Sequence, residues 1–458
     1  MSHQQTNTNS KKTVFLITNG CPENRIDMAL IHEFFKKNNW HIVDNYFDAE
    51  LILFNACALT QFSEKRSLQI IETLKTFKPS GSQLIVCGCL PKINESKLKK
   101  IHQGLILYGE HETYKLNDII QAKYKIEEIS ANFLYPQKKL KRKPTKSKIY
   151  PGLIEHIFQE CSEFRSKFSR ILWGPLIIYN NWLNIKVNIK GQCIFFIKIA
   201  TGCMNCCSYC AIKNSRGNLK SKALTRILDE FQLGLQQGYK NFTLLGTDLG
   251  PYGKDIGIDL TTLLREMIRE NGDYTIHIRN LGPNCLKKMW SELKEILKSK
   301  KITFIGIPIQ SGNNDILNAM RRGYTIEDVK ECIKQLNEEF PFVFIRTQLM
   351  TGFPGETLEQ FYDTYNLLDE LFFDYTEVYS FSTRPNTLAA KMENQLPTRE
   401  KVRRRNKLWL KALLKNTPQR LSKIYKNQSS ITYAKRLSIK ASSIQAGDKI
   451  VAAEDEYI

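Results

Sequence analysis

From Val14 onward, short apolar runs alternate with longer stretches in which apolar positions recur every three or four residues. VFLIT (14–18) precedes such a stretch around 24–38, AELILFNAC precedes one at 62–77, and QLIVCGC precedes one near 94–103. The short runs read as buried strands and the longer spacing as amphipathic helices. Their alternation predicts a small parallel α/β sheet over residues 13–125. A second rhythm of the same kind occupies 193–392. Its strands are CIFFIKIA, NFTLLGT, YTIHIRN, ITFIGIPIQ, FVFIRTQLMTG and YTEVYSFS, with helical spacing near 221–238, 259–271, 285–299, 325–339 and 357–371. Strands joined by helices need parallel crossovers, so this half is expected to form a partial (β/α)6 barrel. The fold class is α/β in both parts.

The remainder is less regular. PQKKLKRKPTKSK (136–148) has seven Lys or Arg between 138 and 148 and is flanked by prolines, the composition of a solvated basic linker. Residues 149–192 are aromatic and apolar without a clear period, so 126–192 is read as linker plus an unassigned insertion. The tail, 393–458, opens on a basic helix, TREKVRRRNKLWLKALLK, and closes as a short, truncated β tail with weak strand signals.

Composition narrows the chemistry. At 458 residues and 42% apolar content the chain can build more than one core. The N-terminus, MSHQQTNTNSKKT, is polar, and the run ILWGPLIIYNNWL is interrupted by Pro175, Asn180 and Asn181. No membrane span is expected, and the chain reads as cytoplasmic. In that reducing compartment, twelve cysteines are expected as metal ligands, catalytic groups or core residues rather than disulfides. A net charge of +21 suits a polyanionic partner, although the many Lys, Asn and Ile residues equally fit a biased coding composition.

The stretch ATGCMNCCSYCAIKNSRG (200–217) gathers Cys203, Cys206, Cys207 and Cys210. It follows the first barrel strand, and barrel chemistry collects at the C-terminal ends of strands. Cys203, Cys207 and Cys210 form CxxxCxxC, whose three thiolates can hold three corners of a [4Fe-4S] cluster and leave the fourth iron open. Zinc would ask for a fourth protein ligand, and no Cys or His follows at finger-like spacing. Cys206 is read as a bystander. Tyr209 adds an aromatic surface on which an adenine could stack.

CxxxCxxC after the first strand of a partial barrel resembles the radical S-adenosylmethionine superfamily, and the enclosing stretch is similar to its methylthiotransferase family. This chain departs from the family pattern at Lys222, where the family has Arg. The resemblance implies that the open iron chelates S-adenosylmethionine, whose reductive cleavage yields a 5′-deoxyadenosyl radical. Cys21 in TNGCPENRIDMA, Cys57 in FNACALTQFSEKRS and Cys89 in VCGCLPK match the family's N-terminal domain. Asn24, Asp27 and Asn55 agree with it, and Ala29 departs from its acidic residue. Each cysteine ends or follows a predicted strand, so the three can meet at one sheet edge as ligands of a second, auxiliary [4Fe-4S] cluster. The plainer alternative is three buried core cysteines.

Four further stretches look like family blocks: LLGTDLGPYGKDIG, IPIQSGNNDILNAMRRGYT, TGFPGET and YSFSTRPNTLAAKM. Through them the resemblance implies cofactor contacts at Thr247 and Asp248 for the ammonium, Gln310 and Ser311 for ribose hydroxyls, and Gly352 and Gly355 beside the adenine. Arg279 is a candidate either for the cofactor carboxylate or for a structural salt bridge. Gln348 stands where the family commonly has Asp. Family members place sulfur and a methyl group on either a hypermodified adenosine of tRNA or an aspartate of a ribosomal protein. GTDLGPYGKDIG points to the threonylcarbamoyl-adenosine branch and GCPENRID to the protein branch. tRNA is the expected partner and a protein substrate the alternative. Binding is assigned to the basic segments at 138–148 and 399–415, with Arg403, Arg404 and Arg405 as phosphate contacts. An electron donor such as flavodoxin or ferredoxin and a monomeric state complete the expectation. Outside the enzyme class, the rival is a nucleic-acid-binding protein with structural clusters, which would need four ligands for each.

Overall fold

In a computed structural model of the protein, the described residues are 12–109, 112–138, 140 and 194–426, with side chains given to 416. The linker beyond Leu140, the insertion at 149–192 and the β tail expected after the basic helix lie outside them.

The first sheet has four parallel strands, β1 (Thr13–Thr18), β2 (His41–Ile42), β3 (Leu51–Ala56) and β4 (Gln83–Gly88), in the order β2-β1-β3-β4. Side chains alternate between its faces. Val14, Leu16, Leu51, Leu53 and Ile85 pack with Met28, Ile31, Phe34 and Phe35 of helix Pro22–Lys37. Phe15, Ile17, Ile52, Phe54 and Val86 pack on the other side with Ile71 and Leu74 of helix Gln61–Phe77. Both faces are covered, which is why these strands read as unbroken apolar runs. β2 is too short to show a pattern, and its pairing was not visible in the sequence. Ile126, Ile129 and Tyr135 join the same core, so packing continues past the expected boundary at 125.

The second sheet contains β5 (Ile194–Lys198). A small antiparallel pair follows, β6 (Ala200–Thr201) with β7 (Lys220–Ser221), and frames the cysteine loop. β8 (Asn241–Leu245), β9 (Thr275–Ile278), β10 (Ile302–Gln310), β11 (Phe344–Thr351) and β12 (Tyr375–Ser380) complete it, in the order β12-β11-β10-β9-β8-β5. Each strand pairs in parallel with its sequence neighbour, the arrangement of a barrel left open between β5 and β12. The helix expected over 285–299 is two, Pro283–Leu286 and Trp290–Leu297. The basic helix runs Thr398–Lys426, longer than expected. No helix among the described residues is long and apolar enough to cross a membrane.

The two sheets belong to one packed unit, and segments that follow their strands meet across it. Gln61 N donates to Ser382 Oγ at 3.0 Å, and Thr247 Oγ1 donates to Glu23 at 3.0 Å. Glu64 and Arg384 form an ion pair with side chains 5% and 3% exposed. Asn132 O accepts from Phe196 N at 2.9 Å, bringing the segment after the first domain alongside β5.

Candidate functional site

The barrel cysteines lie on a loop whose entry only glycine can make. Gly202 has φ of +70°, and a Cβ there would fall 1.9 Å from the carbonyl oxygen of Asn218. Cys203 N donates to Gly217 O at 3.2 Å, and Cys210 N donates to Cys207 O at 3.2 Å, closing the loop on itself. The sulfurs receive donors from within the chain. Asn205 N points at Cys203 Sγ from 3.4 Å, and Arg322 Nη1 at Cys207 Sγ from 3.3 Å. Burial pushes the Cys203 thiol up to about 12, and Asp248, Cys210 and Cys207 push the same way. Cys210 is raised by burial and then by Cys207. Cys206 is exposed, with its sulfur toward the Met204 carbonyl and 3.7 Å from Lys213 Nζ.

Cys21, Cys57 and Cys89 follow β1, β3 and β4, and parallel pairing brings those three strand ends to one edge. Asn24 Oδ1 joins two of them, 3.9 Å from Cys21 Sγ and 3.5 Å from Cys89 Sγ. Asn24 is itself held by Asn55 through paired amide bonds of 2.9 and 3.1 Å. Burial pushes Cys21 up to about 12, followed by Glu23, Cys57 and Cys89. Cys89 is raised by burial and by Cys57, and lowered by Arg216. The Cys57 amide donates to Asn19 Oδ1 at 3.0 Å. Cys87 lies inside β4, buried in the core.

Both trios fit an iron–sulfur group. Each is an all-thiol donor set, the ligand chemistry that iron–sulfur groups take. Yet no three His, Cys, Asp or Glu among the described residues are grouped to share a single metal ion. Buried thiols raised in this way hold protons, which a metal displaces on binding. The amide and guanidinium donors aimed at the sulfurs are the outer contacts by which a protein tunes such a cluster.

The residues expected around a cofactor are placed less uniformly. Asp248 is 6% exposed, and its carboxylate accepts from Gly250 N at 3.1 Å, Gly282 N at 3.0 Å and Asn205 Nδ2 at 2.6 Å. It braces the cysteine loop against the turns after β8 and β9. Thr247 is bonded to Glu23 of the first domain. Gln310 sits at a register shift in β10 with φ of +74°, a bulge that re-aims its side chain. Ser311 is fully buried against Thr364. Beside Gly352 (φ +73°) the space is occupied by Lys401, 3.1 Å from where a Cβ would sit to the nearest Lys401 carbon other than the flexible Cγ. Tyr209 packs against Ile316, Met320 and Phe353, with its hydroxyl 3.4 Å from Arg322 Nη1. Arg279 faces Glu377 closely enough to favour its charged form.

Gln348, noted in the sequence, meets residues at this edge that the sequence did not single out, among them Glu377. Gln348, in place of the family's Asp, donates to Glu377 at 2.8 Å, so the carboxylate at this place comes from the neighbouring strand. Burial opposes charge on Glu377, but Arg346, Tyr379 and Gln348 outweigh it and hold it below the usual range. Arg216, six residues after Cys210, reaches Asn24 at 2.7 Å and Asp27 at 3.0 Å. Lys198 also meets Asp27, at 2.6 Å. A single arginine has no sequence signature of burial, and its partners lie 189 and 192 residues away. Arg404, expected on a phosphate, is instead buried against Glu356 at 2.9 Å and Glu400 at 3.0 Å. Helical periodicity turns it inward between Arg403 and Arg405.

Comparison with known proteins gives two family matches and several relatives. Residues 197–368 match the radical SAM superfamily and residues 13–108 match Uncharacterized protein family UPF0004. A "Probable threonylcarbamoyladenosine tRNA methylthiotransferase" of Pyrococcus abyssi is 30% identical over 385 residues, 84% of this chain and 80% of the relative. A "tRNA-2-methylthio-N(6)-dimethylallyladenosine synthase" of Alkaliphilus oremlandii is 28% identical over 88% of this chain and 78% of its own. A "Ribosomal protein uS12 methylthiotransferase RimO" of Chlamydia abortus is 26% identical over 86% and 77%. Among solved structures, the radical S-adenosylmethionine methyltransferase TsrM from Kitasatospora setae aligns with a TM-score of 0.53 at 13% identity, covering 83% of this chain and 77% of its own. That likeness speaks to the fold.

Proposed function

We propose, on the premise that this chain belongs to the radical S-adenosylmethionine methylthiotransferase family, that it methylthiolates an adenosine of the threonylcarbamoyl type in tRNA. Cys203, Cys207 and Cys210 would hold the barrel [4Fe-4S] cluster and Cys21, Cys57 and Cys89 the auxiliary one. When bound, these clusters with S-adenosylmethionine supply the one-electron chemistry that opens a C–H bond and the sulfur that replaces the hydrogen. The chain's own residues do the rest. Tyr209, Thr247, Asp248, Arg279, Gln310, Ser311 and Gly352 are the proposed cofactor surroundings, with Asp248 acting through Asn205 and the loop. Electrons would come from a flavodoxin or ferredoxin, and the enzyme would act as a monomer.

What supports this reading is that Arg216, six residues past Cys210, reaches Asn24, whose Oδ1 faces Cys21 and Cys89, so the chain around one three-thiol set comes close to the other. An enzyme that must pass sulfur to a carbon opened at the other site needs that proximity. A protein using clusters only for support would need a fourth ligand at each. The tRNA assignment draws on relatives from Pyrococcus and Methanocaldococcus, each called a probable threonylcarbamoyladenosine tRNA methylthiotransferase, and on the +21 charge.

Nucleoside analysis of tRNA after anaerobic reaction with S-adenosylmethionine and a reductant tests it. A methylthio product on threonylcarbamoyl-adenosine is the expected result. Unchanged tRNA together with a methylthiolated ribosomal protein would move the assignment to the protein branch.

A further inference from the structure

Arg216 is 5% exposed, and its guanidinium sits where the two halves of the protein meet. Nη2 donates to Asn24 Oδ1 at 2.7 Å and to Asp27 at 3.0 Å, while Nε lies 3.5 Å from Glu23. Asn24 Oδ1 is the atom that faces Cys21 and Cys89. One oxygen therefore separates a buried positive charge from two thiols that follow different strands. Ser215, the preceding residue, is buried beside it and donates to Ile212 O at 2.9 Å, closing the short helix that carries Arg216. Helix Ile212–Arg216 begins two residues after Cys210, so the chain that carries the barrel trio also carries this charge to the other trio.

We infer that Arg216 is a positioning residue for the group held by Cys21, Cys57 and Cys89, fixing its distance from the barrel site and setting its reduction potential. This rests on the auxiliary-cluster reading above. Three thiolates on a cluster make an anionic site, and reduction adds a further negative charge. A buried cation one atom away favours the more negative state, whereas a carboxylate beside that cation offsets part of its field. The same charge favours an anionic sulfur ligand at an iron that protein leaves open. Asp27 is shared between Arg216 and Lys198, so its charge sets how much of the guanidinium's field reaches the thiols. Removing Arg216's charge and removing Asp27's charge should therefore act in opposite directions.

The test uses the full chain with Cys203, Cys207 and Cys210 replaced by Ala, so that one cluster remains, followed by potentiometric titration with detection by electron paramagnetic resonance. Arg216→Gln should shift the midpoint negative, Asp27→Asn should shift it positive, and Arg216→Lys should stay near the parent. With the barrel cysteines restored, Arg216→Gln should lower methylthio product per 5′-deoxyadenosine by about 10- to 100-fold, the usual effect of losing an outer-contact partner. A midpoint unmoved in both charge variants with iron retained overturns the inference. Should Arg216→Gln fail to hold iron, the sign of the Asp27→Asn shift decides alone. A parent protein without the barrel cysteines that binds no iron would instead remove the auxiliary cluster, and the inference with it.

Discussion

Arg216 Nη2 and Asn24 Oδ1 lie 2.7 Å apart although 192 residues separate them in the chain. Through this one bond the loop that carries the barrel cysteines touches the turn that carries Cys21. The two trios are thus tied by side chains at the seam as well as by the packing of two domains.

Division of labour between the trios predicts separable losses. Anaerobically reconstituted protein should hold about eight irons, and about four after Cys203, Cys207 and Cys210 are replaced by Ala. The Cys21/Cys57/Cys89→Ala protein should still cleave S-adenosylmethionine to 5′-deoxyadenosine but form no methylthio product. Cys206→Ala should keep its full iron content, since that sulfur is exposed and turned toward Lys213. Iron analysis and product chromatography check all three; loss of a cluster from the Cys206 variant would sink the ligand assignment.

Gly202→Ala should be unexpectedly damaging for a single methyl group. It meets the Asn218 carbonyl at 1.9 Å with the backbone at φ +70°, a strain of roughly 1–3 kcal/mol before any clash. The loop must shift, so iron should be lost from the barrel trio alone. A variant that retains about eight irons would show that the loop adapts.

The Glu64–Arg384 pair predicts a pH-dependent stability. Burial by itself opposes charge on Glu64, but Lys97, Arg384 and Asn94 outweigh it and hold its carboxyl below the ordinary 4.5. Its contribution is present above that ordinary value and is lost as pH falls through the depressed one. Glu64→Gln leaves Arg384 buried and uncompensated, which costs about 3–5 kcal/mol near neutrality. Denaturant titrations should show the gap between wild type and variant narrowing below pH 4.5. A gap independent of pH would remove the pair from the account.

If tRNA is the substrate, binding should weaken steeply with salt. Arg403, with a side chain 81% exposed, is available to a phosphate, and Arg403→Gln should reduce the salt slope by roughly one contact. Arg404→Gln should lower stability and leave the slope alone, because its guanidinium is spent on Glu356 and Glu400. Filter-binding across a salt series separates the two. Equal slope changes would show the helix meeting tRNA differently.

Much of this architecture could be read from pattern alone. The strands of both sheets appear as apolar runs because each is covered on its buried faces, and the cysteines announce themselves by spacing or by following those runs. β2 was invisible because two residues carry no period. The helix over 285–299 divides at Met289, whose φ of −101° and ψ of 8° leave helical geometry, with Pro283 opening the first piece. The seam was the largest omission. Arg216, Glu64 and Arg384 look like surface charges until tertiary structure supplies a partner far along the chain. Burial of a charge depends on that partner, and no local pattern encodes it.

The charges buried along the seam also bear on modularity. Asp27 and Glu64 belong to one half, and Arg216, Lys198 and Arg384 belong to the other. Severed from the barrel, the first half would carry carboxylates shaped for absent cations, and the barrel would carry cations shaped for absent carboxylates. Neither is a finished folding unit in the way its separate sheet suggests. A chimera joining the first half of this chain to the barrel of a relative at 30% identity would need these contacts matched across the graft before either set of cysteines could be expected to line up. The two halves can therefore drift in sequence only together, and a substitution on one bank of the seam calls for its answer on the other.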